Sequence, residues 1–117
     1  MIDKEFLERA AKIEQPKFIY AFRYKKIGVY SQIILGDEDP SRRMSVIKRG
    51  LAMDPKAYEN IKGTEYYCLG VYDDQSGEII PYKMYLLDID QIYEGMVDIL
   101  GLKKEGVEDG RRKEETV

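Results

Sequence analysis

The chain has 117 residues, 44% of them apolar and 35% charged, with a formal net charge of −3 and no histidine. That is the length of one domain, with enough apolar content to bury a core without disulfides or metal. The missing histidines exclude histidine-based acid–base catalysis and histidine metal ligation.

No apolar run approaches the roughly 18–20 residues that a membrane helix needs. Asp3, Glu5 and Glu8 interrupt the first apolar residues, which is not the pattern of a signal peptide. A cytoplasmic protein with no membrane partner is the expectation. The single Cys68 lies inside an apolar run and reads as a small buried hydrophobe in a reducing compartment. The charge is unevenly spread: residues 17–62 carry a net +5, residues 1–16 a net −1 and residues 63–117 a net −7. A basic half beside an acidic half suits a surface that faces a polyanion, and it equally suits self-association through complementary faces.

In chain order, Asp3 is a plausible N-cap for a helix over residues 4–14, with Phe6, Ala10 and Ile13 along one face and Pro16 ending it. Lys17–Tyr24 then alternates with a period of two. Phe18, Tyr20, Phe22 and Tyr24 fall on one side of a strand, and Lys17, Ile19, Ala21 and Arg23 on the other. A turn at residues 25–28 leads to a second strand over residues 29–35. Gly36–Pro40 is a loop, and Asp39 or Ser41 caps a helix running to about Met53 with a stripe of Met44, Ile47 and Leu51. Gly50 weakens that helix by about 1 kcal/mol relative to alanine, which suggests close packing at that point. Asp54-Pro55 breaks it, and Lys56–Thr64 forms a loop or short helical turn anchored by Tyr58 and Ile61.

The strongest pattern is Glu65–Leu87. Two runs rich in aromatic and β-branched residues, Tyr66–Tyr72 and Ile79–Leu87, flank Asp73-Asp74-Gln75-Ser76-Gly77-Glu78. This is a β-hairpin signature, with Asp and Ser side chains to bond the loop backbone and a glycine for positive φ. Asp88, followed three residues later by Gln91, resembles a capping box for a helix with Ile89, Ile92, Tyr93, Met96 and Leu100 on one face, ending at Gly101. Lys103–Val117 is so charged that it reads as a disordered tail. The predicted organisation is one α+β domain over residues 1–102: an antiparallel sheet in a β-β-α-β-β core with flanking N- and C-terminal helices.

No glycine-rich phosphate loop is present, since Gly28, Gly36 and Gly50 fit no dinucleotide or P-loop spacing. The acid clusters Asp37-Glu38-Asp39, Asp73-Asp74 and Asp88/Asp90 read as solvated loops and a helix cap, and Asp73–Gly77 lacks the ligand spacing of an EF-hand loop. No catalytic residue, metal or cofactor is expected. What stands out is tyrosine: ten tyrosines and three phenylalanines without a tryptophan. If Ile19, Ala21, Val29, Ile33 and Leu35 face the helix, the stripe Phe18-Tyr20-Phe22-Tyr24 is left on the open side of the sheet beside Lys17, Arg23, Lys25 and Lys26. Aromatic platforms flanked by cations are how single strands are gripped, with stacking worth roughly 1–3 kcal/mol per base. The same stripe also suits a core or a dimer interface, where tyrosine is enriched.

The aromatic first strand, the helix ending near Asp54-Pro55, Tyr58, and above all Leu69-Gly70-x-Tyr72-Asp73-Asp74-x-Ser76-Gly77 resemble the small nonstructural protein of gokushovirus-type microviruses, phages with single-stranded DNA genomes. The resemblance covers roughly residues 17–82. It implies a non-catalytic DNA-binding role in single-strand synthesis or packaging, inside a host cell. The chain departs from that pattern in its extra N-terminal helix, its extra C-terminal helix and charged tail, and the basic Arg23-Tyr24-Lys25-Lys26 after its first strand. On this basis Tyr20, Phe22 and Tyr24 are expected to stack on bases, while Arg23, Lys25, Lys26, Arg42, Arg43 and Arg49 meet phosphates. A homodimer is expected, because two copies enlarge a short site and cover exposed rings. The alternative is an oligomeric protein–protein module, a scaffold or host-factor binder.

Overall fold

A computed structural model describes residues 3–100. The element order is α1 (Lys4–Ala11), β1 (Pro16–Tyr24), β2 (Val29–Tyr30), β3 (Ile34–Gly36), α2 (Pro40–Met53), a 3₁₀ turn (Pro55–Ala57), α3 (Tyr58–Ile61), β4 (Thr64–Asp73), β5 (Ile79–Asp88) and α4 (Ile89–Leu100). All strand pairs are antiparallel, and the order across the sheet is β2-β1-β4-β5, with β3 continuing beside β1 on the same edge as β2. The α+β class is as expected. The tail from residue 103, read as disordered from composition, lies outside the described residues.

Local chemistry accounts for the element ends. The Asp3 carboxylate accepts from the Glu5 and Phe6 backbone N–H groups and starts α1. That helix stops at Ala11 rather than 14 because Pro16 already belongs to β1, so residues 12–15 must reverse the chain. Of the two candidate caps for α2, Asp39 takes the role: its carboxylate accepts from Arg42 N–H at 2.9 Å and Pro40 occupies the first turn. The expected second strand is split in two. Ser31 donates its N–H to the Phe22 carbonyl at 2.7 Å, and its Oγ accepts from Phe22 N–H at 3.0 Å, so a hydroxyl replaces a ladder carbonyl and pairing lapses until Ile34. The β4–β5 loop closes as its sequence demands. Asp73 N–H bonds the Glu78 carbonyl at 2.9 Å, Gly77 N–H bonds the Asp73 carbonyl at 2.7 Å, and Gly77 sits at φ +80°.

One bulge shapes the sheet. Opposite β1 the register jumps from Cys68↔Tyr20 to Gly70↔Ile19, leaving Leu69 as the extra residue. Gly70 adopts φ +147°, and a Cβ there would collide with the Ile80 carbonyl oxygen of β5. The bulge puts Cys68 and Val71, three residues apart, on the same face.

All the apolar helix stripes meet that face. Phe6 and Ala10 of α1, Leu51 of α2 and Ile89 of α4 form one buried cluster with Phe18, Tyr20, Tyr66, Cys68, Val71, Met84 and Leu87. Met44, Ile47, Ile92 and Met96 pack against it. The molecule is therefore two layers, helices on one side and sheet on the other.

This arrangement corrects the expected orientation of β1. The aromatic stripe points inward: Tyr20 is fully buried and Phe18 nearly so, sealed beneath the helices. Ile19 and Ala21, expected to face the helix, lie on the opposite face. The physical reason is charge parity. Lys17 and Arg23 share a side with Ile19 and Ala21, and desolvating two cations costs more than burying three rings gains by staying exposed. Gly50 is a second correction: a Cβ there would meet nothing within 4 Å, so no close packing explains it.

Candidate functional site

The inward turn of the stripe disperses the nine residues expected to bind nucleic acid. Tyr20 stacks on Tyr66 at 5.5 Å between ring centroids, and its hydroxyl donates to the Glu38 carbonyl at 2.6 Å. Burial drives its pKa far above the ordinary phenol value. Tyr20 has no face to offer a base, which withdraws it from the expected site. Phe22 is half-buried against the Tyr66 ring at 4.9 Å.

Arg43 is also spent inside the molecule. Its guanidinium lies over the Tyr20 ring at 5.0 Å, donates from Nε to the Tyr66 hydroxyl at 2.9 Å and pairs with Glu38 at 3.0 Å. Removing it from these partners to meet a phosphate would expose a buried ring pair, so Arg43 is a core clamp. Arg23 pairs with Glu65 at 3.3 Å. The Lys25 ammonium sits between Asp88 and Asp90, at 2.9 Å from each. Tyr24 is 43% exposed at the end of β1, and Lys26, Arg42 and Arg49 are exposed with no ion pair among the described residues.

Asp90 is the hub of a second internal network. It accepts from Gly63 N–H at 2.9 Å and from the Tyr58 hydroxyl at 2.7 Å, besides pairing with Lys25. Burial opposes its charge, but the Gly63 N–H, Lys25 and Tyr58 outweigh that and hold the carboxyl below its ordinary value. The bond to Asp90, with burial behind it, pushes the Tyr58 phenol up to about 12. Tyr58 stacks flat on Tyr93 at 3.9 Å, so the segment before β4 is tied to α4 by both a ring and a carboxylate. Cys68 is buried, and burial pushes its thiol up, away from the reactive thiolate.

What the fold leaves uncovered among the described residues is the other face of the sheet. Tyr30 of β2, Tyr67 of β4 and Tyr85 of β5 form a row across it. Neighbouring rings meet edge to face at 5.5 Å and 5.7 Å, roofing the fully buried Ala21. Leu35, Ile79 and Tyr85 are each about half exposed around this row, at 49%, 57% and 45%. The charges on the face are largely self-neutralised: Arg23 by Glu65, and Lys17 by Asp37 at 2.7 Å. Lys83 has no carboxylate partner among the described residues, and its ammonium lies 5.9 Å from the centre of the Tyr30 ring.

The sequence held a signal for this row. Lys83 and Tyr85 alternate with the core-facing Tyr82 and Met84, just as Arg23 alternates with Phe22. Among the described residues no group of three histidine, cysteine or acidic side chains is placed to hold a metal ion, and no helix is long and apolar enough to cross a membrane. No family model, curated protein or solved structure matches the chain.

Proposed function

We propose that this protein is a non-catalytic interaction module that pairs with a second copy of itself through the tyrosine-rich open face of its sheet. The observation that carries this reading is the composition of that face. Its centre is aromatic, its surround aliphatic, and two of its three cations are already matched by carboxylates of the same chain. Interface centres are depleted in free charge and enriched in tyrosine, whereas a phosphate-binding surface needs cations in excess.

The size also fits. A face of about 30 Å by roughly 19 Å, from strand rise and strand spacing, offers on the order of 600 Å² per copy. Two copies would then bury about 1,200 Å², the lower end of stable specific interfaces. A face with one unmatched lysine does not repel its own copy.

A second reading keeps single-stranded DNA as the partner. Tyr30, Tyr67 and Tyr85 beside Lys83 form an aromatic platform with a cation, and the microvirus-like sequence pattern points the same way. In this version the platform is the opposite face from the one the sequence suggested.

Light scattering on size-exclusion fractions, with fluorescence anisotropy of a labelled oligonucleotide at low and high salt, separates the two. Self-association predicts a dimer that Leu35→Lys or Tyr85→Lys converts to a folded monomer, with no oligonucleotide binding. A monomer that binds the oligonucleotide at low salt, and loses it in Tyr85→Ala, would replace the first reading with the second.

A further inference from the structure

We infer that a cavity at the β1–β2 turn is a binding site for a phosphate monoester carried on a flat ring, the chemistry of a nucleotide. The cavity, about 380 Å³, is lined by Tyr24, Lys25, Lys26, Ile27, Lys62, Gly63 and Asp90. Its volume lies within the roughly 300–1,000 Å³ of small-molecule sites. The site is separate from the open sheet face and does not depend on the self-association proposed above.

Three features select this ligand class. First, the walls are apolar and aromatic where they are accessible: Tyr24 is 43% exposed and Ile27 70% exposed. An exposed isoleucine beside an exposed ring offers a hydrophobic slot for a planar group.

Second, the one acid in the lining does not repel an anion. Asp90 is saturated by Lys25, by Gly63 N–H and by the Tyr58 hydroxyl. The Lys25–Asp88–Asp90 cluster therefore forms a fixed polar floor that also holds the turn in place, with Lys25 N–H bonding the Gly63 carbonyl at 3.0 Å.

Third, two ammonium groups remain available. Lys26 has no ion pair among the described residues, and Lys62 has only Glu59, three residues before it. In that pair the side chains are 58% and 70% exposed, so it is a solvated contact that a stronger anion can displace. Two lysines on one rim match the roughly −1.5 to −2 charge of a phosphate monoester better than the single charge of a carboxylate. Tyr24 would stack on the ring while Lys26 and Lys62 hold the phosphate.

The test is a titration of the full chain with adenosine 5′-monophosphate, followed by amide chemical shifts, with adenosine and inorganic phosphate as separate probes. Saturable shifts at Tyr24, Lys26, Ile27 and Gly63 are expected, with the monophosphate binding more tightly than either fragment. Lys26→Ala with Lys62→Ala should weaken it by at least about tenfold, the loss of two charge-assisted contacts. Both lysines are exposed, so the unperturbed spectrum of the variant serves as the folding control. An oligonucleotide with and without a 5′-phosphate distinguishes the source: a preference for the phosphorylated strand assigns the site to strand ends, and equal weak binding of both assigns it to free nucleotides. No saturation by the monophosphate or by either strand, or affinity unchanged in the double variant, would overturn the proposal.

Discussion

Tyrosine does two different jobs in this molecule, and the hydroxyl shows which. In Tyr20 the hydroxyl is inside, bonded to the Glu38 carbonyl, within a stack that also holds Tyr66 and Arg43. Tyr20→Phe should cost about 1 kcal/mol through the orphaned buried carbonyl, read as a lower midpoint in urea unfolding with an unchanged slope. In Tyr85, on the open face, the hydroxyl is not needed to fold the chain. Tyr85→Phe should move the midpoint by less than about 0.5 kcal/mol at concentrations where the protein is monomeric. Gly70 is the residue with no substitute. At φ +147° and against the Ile80 carbonyl, Gly70→Ala forces strain and a backbone shift together. We expect a loss of about 2–4 kcal/mol in chemical denaturation.

At the scale of elements, α2 and α4 carry opposite lessons. Gly50 faces open space at the exposed side of α2, so Gly50→Ala should stabilise by about 0.5–1 kcal/mol, raising the thermal midpoint. The N-terminus of α4 is instead held by charge. Asp88 caps it by accepting from Gln91 N–H at 3.1 Å, and Asp90 gathers Lys25, Tyr58 and Gly63. Because the folded-state pKa of Asp90 is depressed, its contribution is present above the unfolded value of 3.8 and is lost as pH falls through the lower folded value. The raised Tyr58 and Lys25 groups act at the other end. Tyr58 stabilises below its unfolded value of 10.0 and loses that contribution as pH rises through about 12. Lys25 does so from above 10.5. Asp90→Asn should therefore cost about 1–2 kcal/mol at pH 6, after allowing for partial exposure, and the gap to the native chain should close below pH 3.8.

These elements also show what the sequence disclosed. The hairpin, the loop closure at Gly77, the Asp3 and Asp39 caps and the break at Asp54-Pro55 rest on local chemistry, and each is where local chemistry puts it. The side of β1 that faces the helices is not a local property. Phe18, Ile19, Tyr20 and Ala21 are all buried, so apolar alternation alone cannot tell the two sides apart, and the tie is broken only by Lys17 and Arg23 at the ends. The split of the second strand hangs on one serine hydroxyl, Ser31, which has no compositional signature. The open-face row was hidden for a different reason. Tyr30, Tyr67 and Tyr85 come from three strands and become neighbours only through the pairing of β1 with β4 and β4 with β5.

For the whole molecule, covering one sheet face with every helix leaves the other to meet something else. That face gathers its tyrosines over Ala21, matches most of its own charge, and has about the area a small dimer needs. Amide chemical shifts recorded as the protein is diluted, from millimolar to low micromolar, test this most directly. Self-association through the sheet predicts concentration-dependent shifts confined to the strands around Tyr30, Leu35, Tyr67, Lys83 and Tyr85, with the helix-side signals of Phe6, Leu51 and Ile92 unmoved. Spectra that do not change with concentration, or changes that fall on the helix side, would contradict it.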